Sequence, residues 1–460
     1  MKRSIIAIIL VVLALSALGG IVFRRRPAPE RFVLIVVDSL RPDHLGCYGD
    51  RRHLTPHLDA AAGRGVRFAQ CWSASSWTFE SNAGLFTGLY PSQVRAGDGM
   101  RLRRDAVTLA ETFRVAGYAT AAFSAHPWIS PKHGFAQGFE TFDVSSRKDD
   151  PVVDACVRWM RKHRTGRYFE LLYLWGPHFP YQPANIPPAL SARLPALPSC
   201  SRKGYIPISG RDRRLTLVPR ATGKEGQASV DEVAALRELY ALSVRELDAR
   251  IGRVLRAIGD DRRCVVAVTA DHGEEFLDHG FIYHEMSLYQ ELLHVPLMIR
   301  VPGVAPAIVE QPVSGLDIMP TLLSLARIPR PNHLVGQRFF PASAAASRLL
   351  FSEVDITKGS HVLRYGVRAG DTAVIYSLSG CPPEKPVPPG GRWEVYDLAH
   401  DPKERDPRTA PKADLRAALV AHARDGMAAR AMAARGNPAT PEARAEMMRQ
   451  FRALGYLAPH

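Results

Sequence analysis

Three short apolar runs, each followed closely by a polar side chain, constrain the fold of this chain more than any other feature. The runs and the polar residues that follow them are Phe32–Val37 before Asp38, Phe169–Trp175 before His178, and Cys264–Ala270 before Asp271. Short apolar runs like these, in which Glu170 is the one charged residue, are typical of strands buried on both faces of a parallel sheet. In open α/β sheets, ligands bind at the edge formed by the carboxyl ends of such strands. The sequence therefore predicts one site to which all three strands contribute.

Helical patterns separate these runs, at Leu54–Gly65, Val107–Ala116 and Val230–Ile258. Apolar residues recur there at the spacing of a helix that buries one face. Alternating strands and helices predict an α/β fold with a doubly wound, mostly parallel sheet. Beyond about Arg330, shorter strand-like runs predict a smaller C-terminal α+β subdomain. These runs are Gly366–Arg368, Ala373–Ser377 and Trp393–Leu398.

The N-terminal segment Ser4–Phe23 is uncharged and rich in Ile, Leu, Val and Ala, and Arg24–Arg26 follows it. About 20 apolar residues match the hydrocarbon thickness of a bilayer, whereas the apolar centre of a cleaved signal peptide is usually shorter. Small residues at Ala17–Gly20 leave cleavage as the alternative. A lone N-terminal anchor usually sends its long C-terminal part outward. We therefore expect a single-pass signal anchor, with the folded part outside the cytoplasm in the periplasm or extracellular space.

The composition bears on the partners of the chain. The formal net charge is +15, which attracts anionic substrates, anionic lipid surfaces or nucleic acid. Arginines are spread along the whole chain without a long basic tract interleaved with aromatic residues, so we do not expect nucleic acid as a partner. The six cysteines show neither CxxC pairs nor zinc-finger spacing. Cys200 and Cys381 lie in loop-like surroundings, where a disulfide and two free thiols are both open.

Five motifs follow one another in a fixed order along the chain. They are Val36–Gly49 with Thr55–Asp59, Leu85–Pro91, Thr269–Glu275 with His279–Gly280 and Val295–Leu297, Val395–Leu398 with Asp401–Pro402, and Leu454–Leu457. Together these motifs resemble the sulfatase branch of the alkaline phosphatase superfamily, and the resemblance covers nearly everything after the anchor. It implies an alkaline phosphatase/sulfatase-like fold and a metal-dependent hydrolase of sulfate or phosphate esters.

With this resemblance, we divide the chain into four segments. Residues 1–30 are the predicted membrane anchor and linker, and residues 31–330 the sulfatase-like catalytic domain. Residues 331–430 are the smaller C-terminal subdomain, and residues 431–460 a helical tail rich in Ala, Arg and Met.

The resemblance places metal ligands at Asp38, Asp271 and His272. Two carboxylates and an imidazole that converge on one edge suit one divalent ion. His272 stands where sulfatases commonly carry Asn, and Ser39 stands where they carry a further Asp. A nitrogen ligand and the loss of a carboxylate favour zinc or manganese, with calcium as the alternative. Gly176 stands where relatives with a Thr nucleophile often carry Asp, which argues against a second metal.

The spacing of the family motifs places the nucleophile at Thr78, which is also a predicted metal ligand. Sulfatases carry Cys or Ser there, converted to formylglycine, and threonine cannot undergo this conversion. Asn82 replaces the Arg that holds the modified nucleophile, and we predict that it binds substrate. A Thr at this position is similar to the phosphodiesterase and phosphotransferase branches, in which its oxygen attacks phosphorus. The structural alternative is that Thr78 merely caps a helix.

Four histidines are further candidates for the site. His178 matches a Pro-His pair of the family that contacts substrate oxygens or protonates the leaving group. His279 and His284 follow the second metal block, and we expect one of them to face the substrate. His126 is a weaker candidate, because the Lys and His block of the family is absent around it. Glu274 and Glu275 could accept hydrogen bonds from His272, but we expect them at a helix start, where their charges complement the dipole.

The leading hypothesis is a sulfate- or phosphate-ester hydrolase that acts through a covalent Thr78 intermediate. Phosphate esters are favoured because a sulfated Thr lacks the geminal hydroxyl with which formylglycine expels sulfate. A membrane-anchored phosphotransferase to a lipid or glycan acceptor shares the first half-reaction, and a catalytically degenerate binding module is the third possibility. The expected partners are an anionic ester, free or linked to a lipid or glycan, and the membrane.

Overall fold

The computed structural model describes residues 28–96, 101–179, 181, 183–193, 216–217, 226–227, 230–279, 282–284, 287–340, 348–356, 362–379, 391–408 and 410–434. None of the helices in these ranges is both long and apolar enough to cross a bilayer. The predicted anchor Ser4–Phe23, Cys200, Cys381 and the tail beyond Ala434 lie outside these ranges. The cysteines within them, Cys47, Cys71, Cys156 and Cys264, are free thiols.

The strands, in chain order, are β1 (Arg31–Val37), β2 (Val66–Trp72), β3 (Ala119–Ser124), β4 (Thr141–Asp143), β5 (Tyr168–Leu174), β6 (Thr216–Leu217), β7 (Gly226–Gln227), β8 (Cys264–Ala270), β9 (Glu275–Phe276), β10 (Ile282–Tyr283), β11 (His294–Arg300), β12 (Ala307–Val309), β13 (Val313–Ser314), β14 (Leu350–Ile356), β15 (Val362–Ala369), β16 (Thr372–Ser379) and β17 (Arg392–Asp397). The helices are α1 (Pro56–Ala62), α2 (Thr78–Thr87), α3 (Pro91–Val94), α4 (Leu109–Val115), α5 (Asp149–Lys162), α6 (Pro188–Arg193), α7 (Val230–Ile258), α8 (Gln290–Leu293), α9 (Ile318–Leu325) and α10 (Ala413–Ala434).

A nine-stranded sheet forms the centre of the main domain, in the order β12-β2-β11-β8-β1-β5-β3-β4 with β13 beside β2. Its pairings are parallel apart from those of β11 with β2 and β8. Central strand β1 pairs along its whole length with both β5 and β8. Every residue of these three strands is buried, as expected for parallel strands covered on both faces. The predicted doubly wound α/β fold is confirmed.

The predicted elements agree closely with the structure. The apolar runs form β1, β5 and β8, and α7 has the predicted bounds. Helix α4 begins after Thr108, whose hydroxyl accepts a hydrogen bond from the Glu111 amide in a capping box. The predicted helix Leu54–Gly65 is shorter in the structure, because α1 begins at Pro56, where proline is well tolerated in the first turn.

The C-terminal subdomain is a four-stranded antiparallel sheet, β14-β15-β16-β17, with α10 packed on it. Its small core joins Tyr365 and Val374 of the sheet to Leu415 and Leu419 of the helix. This arrangement confirms the predicted α+β character of the subdomain. Strand β14 contacts the segment before α2, since the Glu353 amide donates a hydrogen bond to the Ala74 carbonyl oxygen at 2.8 Å.

Candidate active site

The carboxyl ends of the central strands bring two carboxylates together. Asp38 follows β1 and Asp271 follows β8, and both side chains are buried. Their backbones continue the sheet, because the Asp38 amide bonds to the Leu174 carbonyl oxygen and the Asp271 amide to that of Val37. The strand register therefore places the two carboxylates side by side.

His272 directs one ring nitrogen toward these carboxylates. Its Nε2 lies 3.5 Å from Asp38 Oδ1 and 3.7 Å from Asp271 Oδ2. Its Nδ1 lies 2.9 Å from the Gly273 carbonyl oxygen, which places the ring proton on Nδ1. The Nε2 lone pair is therefore free to bind a cation between the two carboxylates.

Thr78 lies at the first position of α2, and its hydroxyl faces the same cluster. Thr78 Oγ1 is 3.2 Å from His272 Nε2, and the residue is only 1% exposed. The residue at the N-cap is Trp77, whose side chain makes no capping hydrogen bond. Helix capping therefore does not account for the position of the Thr78 hydroxyl.

The cluster suits a single divalent cation. Asp38 Oδ2 is buried and forms no hydrogen bond within the described ranges, although His126 Nε2 lies 3.5 Å from it. Burial and the neighbouring Asp271 carboxylate together hold the pKa of Asp38 well above its ordinary value. Two buried carboxylates, an imidazole lone pair and a hydroxyl form a donor set that a divalent cation neutralises.

Four donors orient the Asp271 carboxylate. One is the His272 amide, which donates to Oδ1 at 2.8 Å. Tyr173 donates its hydroxyl to Oδ2 at 2.6 Å, Asn82 Nδ2 donates to the same oxygen at 3.0 Å, and the Ser39 amide donates to Oδ1 at 3.2 Å. The Asn82 amide nitrogen also bonds to the Thr78 carbonyl oxygen at 2.7 Å. Asn82 thus connects the helix of Thr78 to Asp271, and its contact with substrate stays a prediction.

Ser39 supports the cluster in a different way from a metal ligand. Its hydroxyl donates to Asp38 Oδ1 at 3.0 Å, and its backbone has a φ of 58°, which is costly for a residue other than glycine. The Tyr240 hydroxyl holds this backbone by donating to the Ser39 carbonyl oxygen at 2.7 Å. Strain that neighbouring bonds maintain is typical of functional sites.

Gly176 also has a left-handed backbone, with a φ of 57°. A Cβ atom there would lie 2.8 Å from Val37 Cγ1 in the central strand. An Asp at this position would have to displace the Val37 side chain and adopt a left-handed backbone, so the local structure disfavours the carboxylate that relatives with a Thr nucleophile often carry here.

His178, His126 and His284 surround the cluster. The ring centroid of His284 lies 4.4 Å from that of His272 and 4.8 Å from that of His178. His126 lies 5.5 Å from His178 by the same measure. Two of the histidines predicted from sequence, His178 and His284, are thus close to the predicted metal ligands.

His178 is neutral before substrate binds, because burial and nearby His272 lower its pKa to about 3. Its Nδ1 contacts the Phe179 carbonyl oxygen, which places the ring proton on Nδ1. The Nε2 lone pair is therefore available as a proton acceptor. An anionic ester bound beside the ring would raise the pKa again and allow the ring to carry a proton.

His126, a weaker candidate from sequence, lies in direct reach of Asp38. Its Nε2 is 3.5 Å from Asp38 Oδ2, and its Nδ1 accepts a hydrogen bond from the Trp128 amide at 3.3 Å. This tautomer directs an N–H group at Asp38. The available signal was its position just after strand β3, which ends at the same sheet edge as β1 and β8.

His279 has a different environment from the other histidines. Its Nδ1 contacts Glu291, its Nε2 lies 2.7 Å from the Glu404 carbonyl oxygen, and its ring stacks on Tyr289 at 3.7 Å. These partners belong to the junction with the C-terminal subdomain rather than to the Thr78 cluster. These contacts do not support the predicted contact of His279 with substrate, which stays a prediction.

The prediction that a helix starts at Glu274–Glu275 is wrong. Glu275 begins β9, which pairs with β10 to form a short hairpin. Glu274 Oε1 instead lies 3.0 Å from His284 Nδ1 and orients that ring. The sequence pattern was ambiguous because a two-residue strand leaves almost no periodicity to detect.

Comparisons with known proteins agree with this geometry. The family model described as Sulfatase matches residues 30–328. Iduronate 2-sulfatase of Mus musculus is 26% identical over 348 residues, which cover 63% of this chain and 62% of that protein. The chain therefore spans less than two thirds of the length of this relative.

Two solved structures show the same fold. A protein in complex with its substrate D-glucosamine-2-N,6-O-disulfate has a TM-score of 0.68 at 17% identity, covering 90% of this chain and 100% of that one. The phosphonate monoester hydrolase of Agrobacterium radiobacter has a TM-score of 0.64 at 22% identity, covering 88% and 96%. Because the Sulfatase family model matches well over half of the residues of this chain, the chain belongs to the sulfatase family.

Proposed function

We propose that this protein is a metal-dependent hydrolase of anionic esters in which Thr78 is the nucleophile. The observation that carries the proposal is the buried Thr78 hydroxyl, 3.2 Å from His272 Nε2 at the edge that also holds Asp38 and Asp271. Membership of the sulfatase family supports ester hydrolysis. The relatives named for iduronate 2-sulfate and for phosphonate monoesters both indicate an anionic group at the reacting centre.

Asp38, Asp271, His272 and Thr78 would hold one divalent cation, which would neutralise the carboxylates and lower the pKa of the Thr78 hydroxyl. Thr78 Oγ1 attacks the phosphorus or sulfur atom and displaces the alcohol or phenol. The first amides of α2, which have no acceptor within the helix, are placed to hold the oxygens of the transferred group. His178 Nε2 is suited to hold the proton that the leaving oxygen requires.

The second half-reaction favours phosphate or phosphonate esters. Water attacks phosphorus of the phosphorylated Thr78, the P–O bond breaks, and the hydroxyl of Thr78 is restored. A sulfated Thr78 would need the same attack at sulfur, because threonine has no geminal hydroxyl to expel sulfate by C–O cleavage. Sulfate-ester cleavage is the alternative that the names of the curated relatives favour.

The test is a substrate panel with the full chain in detergent micelles. It compares an aryl phosphate monoester, an aryl phosphate diester, an aryl phosphonate monoester and an aryl sulfate. We expect faster turnover of the phosphorus esters. We also expect Thr78→Ala to lose at least about 10³-fold in kcat and Thr78→Ser to retain part of the activity.

Thr87→Ala is the matched control, because it removes a buried hydroxyl from the other end of the same helix, where Oγ1 donates only to the Ala83 carbonyl oxygen. It should keep kcat within a few-fold. Faster cleavage of the aryl sulfate would overturn the substrate preference, and equal loss in both Ala variants would remove Thr78 as nucleophile.

We also propose that Ser4–Phe23 anchors the protein in a membrane with the site outside the cytoplasm. The uninterrupted apolar length of this segment supports the anchor. Retention in the membrane fraction after carbonate washing is the expected result. Release of a protein that lacks this segment would instead show a cleaved signal peptide.

A further inference from the structure

The chain enters the fold at the sheet edge opposite the candidate active site. Pro29 accepts a hydrogen bond from the Tyr118 hydroxyl at 3.1 Å, before β3. The Glu30 amide bonds to the Arg263 carbonyl oxygen, before β8, and the Tyr168 amide at the start of β5 bonds to the Glu30 carbonyl oxygen, both at 3.0 Å. The loops before three parallel strands therefore surround the point of entry.

This edge carries a group of exposed arginines, which we call the basic edge: Arg64, Arg114, Arg164, Arg167, Arg262 and Arg263. Each one precedes a strand of the parallel set, so the common strand direction gathers them on one side of the sheet. The opposite side holds the buried carboxylates of Asp38 and Asp271.

The positive charge of the basic edge is only partly compensated. Arg263 pairs with Glu30 at 3.1 Å, and Arg114 with Glu140 at 3.6 Å. Among the acidic groups nearby, Asp261 is engaged with Arg31 and Arg263, and Asp260 is exposed. The remaining arginines form no ion pair with any residue in the described ranges: Arg64, Arg164, Arg167 and Arg262.

The anchor limits how far this edge can lie from a bilayer. Four residues, Arg24–Pro27, separate Phe23, the last residue of the apolar segment, from Ala28, so five Cα–Cα steps join the two. Even a fully extended chain spans at most about 18 Å over this length. Charges act on a membrane surface over a Debye length of about 8 Å at physiological salt. The short tether therefore keeps the basic edge close to the region in which anionic headgroups attract cations.

We infer that the basic edge contacts the anionic phospholipid headgroups of the membrane, an inference that rests on the proposed anchor. The contact orients the sheet so that its carboxyl edge, with Thr78, faces away from the bilayer. Seven-residue strands separate the two edges by about 23 Å. The site is thus presented to esters that reach it from the aqueous side, rather than to lipids embedded in the same bilayer.

The test measures hydrogen–deuterium exchange of the full chain in nanodiscs of phosphatidylcholine, with or without phosphatidylglycerol. We expect the loops at residues 164–167 and 260–263 to exchange several-fold more slowly with phosphatidylglycerol present. The variant Arg164→Glu with Arg262→Glu should lose this difference. The matched variant Arg51→Glu with Arg147→Glu, which makes the same charge change in exposed loops that follow β1 and β4, should keep it.

The outcomes distinguish a failure of the inference from a failure of the proposed anchor. A chain that stays in washed nanodiscs but exchanges equally in both lipids overturns the inference alone. Protection of the loops after β1 and β4, in place of those before β5 and β8, would overturn the orientation. A chain that does not remain in the nanodiscs removes the anchor and the inference with it, while the proposed hydrolase activity in detergent is untouched.

Discussion

Asp38 is held by side chains that differ from the pattern expected of a sulfatase. Ser39 occupies the place of a further carboxylate, and its hydroxyl donates to Asp38 Oδ1. His126 Nε2 lies 3.5 Å from the other carboxylate oxygen of Asp38, Oδ2. A single residue change at position 39 therefore replaces a negative charge with a hydrogen-bond donor. This reduces the number of carboxylates and agrees with the expectation of zinc or manganese over calcium.

Glu170 is a buried acid outside the site. It lies in the middle of β5, fully buried, beside the Cys156 thiol of α5. Apart from this weak donor, neither of its carboxylate oxygens has a hydrogen-bond donor in the described part of the chain. Burial raises the pKa of Glu170 well above its ordinary value, so the folded protein favours the neutral form of this group.

This burial predicts a pH-dependent loss of stability. The pKa of Glu170 is higher in the folded protein than in the unfolded protein. The free energy of unfolding is therefore highest below the unfolded pKa of Glu170, near 4.5. It falls as pH rises from there toward the folded pKa. Glu170→Leu should therefore raise the free energy of unfolding by about 1–3 kcal/mol at neutral pH, with a smaller gain at acid pH.

Denaturant unfolding of the full chain between acid and neutral pH measures this effect. Glu170→Gln is the matched control, because it removes the titration and keeps a buried polar group. It should flatten the pH dependence without the full gain of the Leu variant. An unchanged pH dependence in both variants would contradict the assignment.

Helix α2 is the element that carries Thr78, and the C-terminal sheet holds it in place. Glu80 Oε2 accepts hydrogen bonds from the Ser75 hydroxyl at 2.8 Å and from the Asp355 amide of β14 at 3.2 Å. Arg95 contacts the other Glu80 oxygen and lies 3.3 Å from Asp355 Oδ2. Burial raises the pKa of Glu80 to about 7 even beside this arginine. Helix α2 and the small subdomain thus share one buried polar cluster.

Removal of Arg95 should therefore destabilise the protein strongly. Arg95→Met leaves Glu80 without its cation and Asp355 paired only with Arg430, and we expect a loss of about 3–5 kcal/mol in the free energy of unfolding. Arg103→Met is the matched control, because Arg103 pairs with Asp105 at an exposed site and should cost less than about 1 kcal/mol. Thermal and denaturant unfolding of both variants measure these losses. A similar loss of unfolding free energy in the two variants would show that the buried cluster does not support α2.

At the scale of the whole molecule, a bound cation should stabilise the fold. A ligand that binds only the folded state adds about 2.7 kcal/mol at a hundredfold excess over its Kd. We expect Zn²⁺ or Mn²⁺ to raise the Tm of the metal-stripped full chain more than Ca²⁺ does. Asp271→Asn should remove most of this increase, because it weakens one of the two carboxylate ligands.

Asp425→Asn is the control for this prediction, since its side chain is 78% exposed on α10, and its response to each ion should match that of the unmodified protein. Metal analysis of the purified protein should find about one ion per chain, as one donor set of this kind implies. An increase in Tm that survives Asp271→Asn would place the cation elsewhere.

The sequence by itself predicted the α/β class, three central strands of the sheet and the position of Asp38 and Asp271 at strand ends. Apolar runs and helical periodicity are local properties, and the carboxyl ends of parallel strands must meet at one edge. For this reason β8 and α7 could be predicted with the observed bounds. The motifs also selected Thr78, whose role as nucleophile stays a proposal.

Only the tertiary structure decided which side chains share the site. Tyr173 is one more residue of an apolar run in the sequence, and its hydroxyl meets Asp271 only because β5 and β8 both flank β1. His279 and His284 are five positions apart, yet one bonds to the C-terminal subdomain at Glu404 and the other faces His272. Contacts between residues far apart in the chain depend on how strands and subdomains pack, and no local pattern encodes that packing.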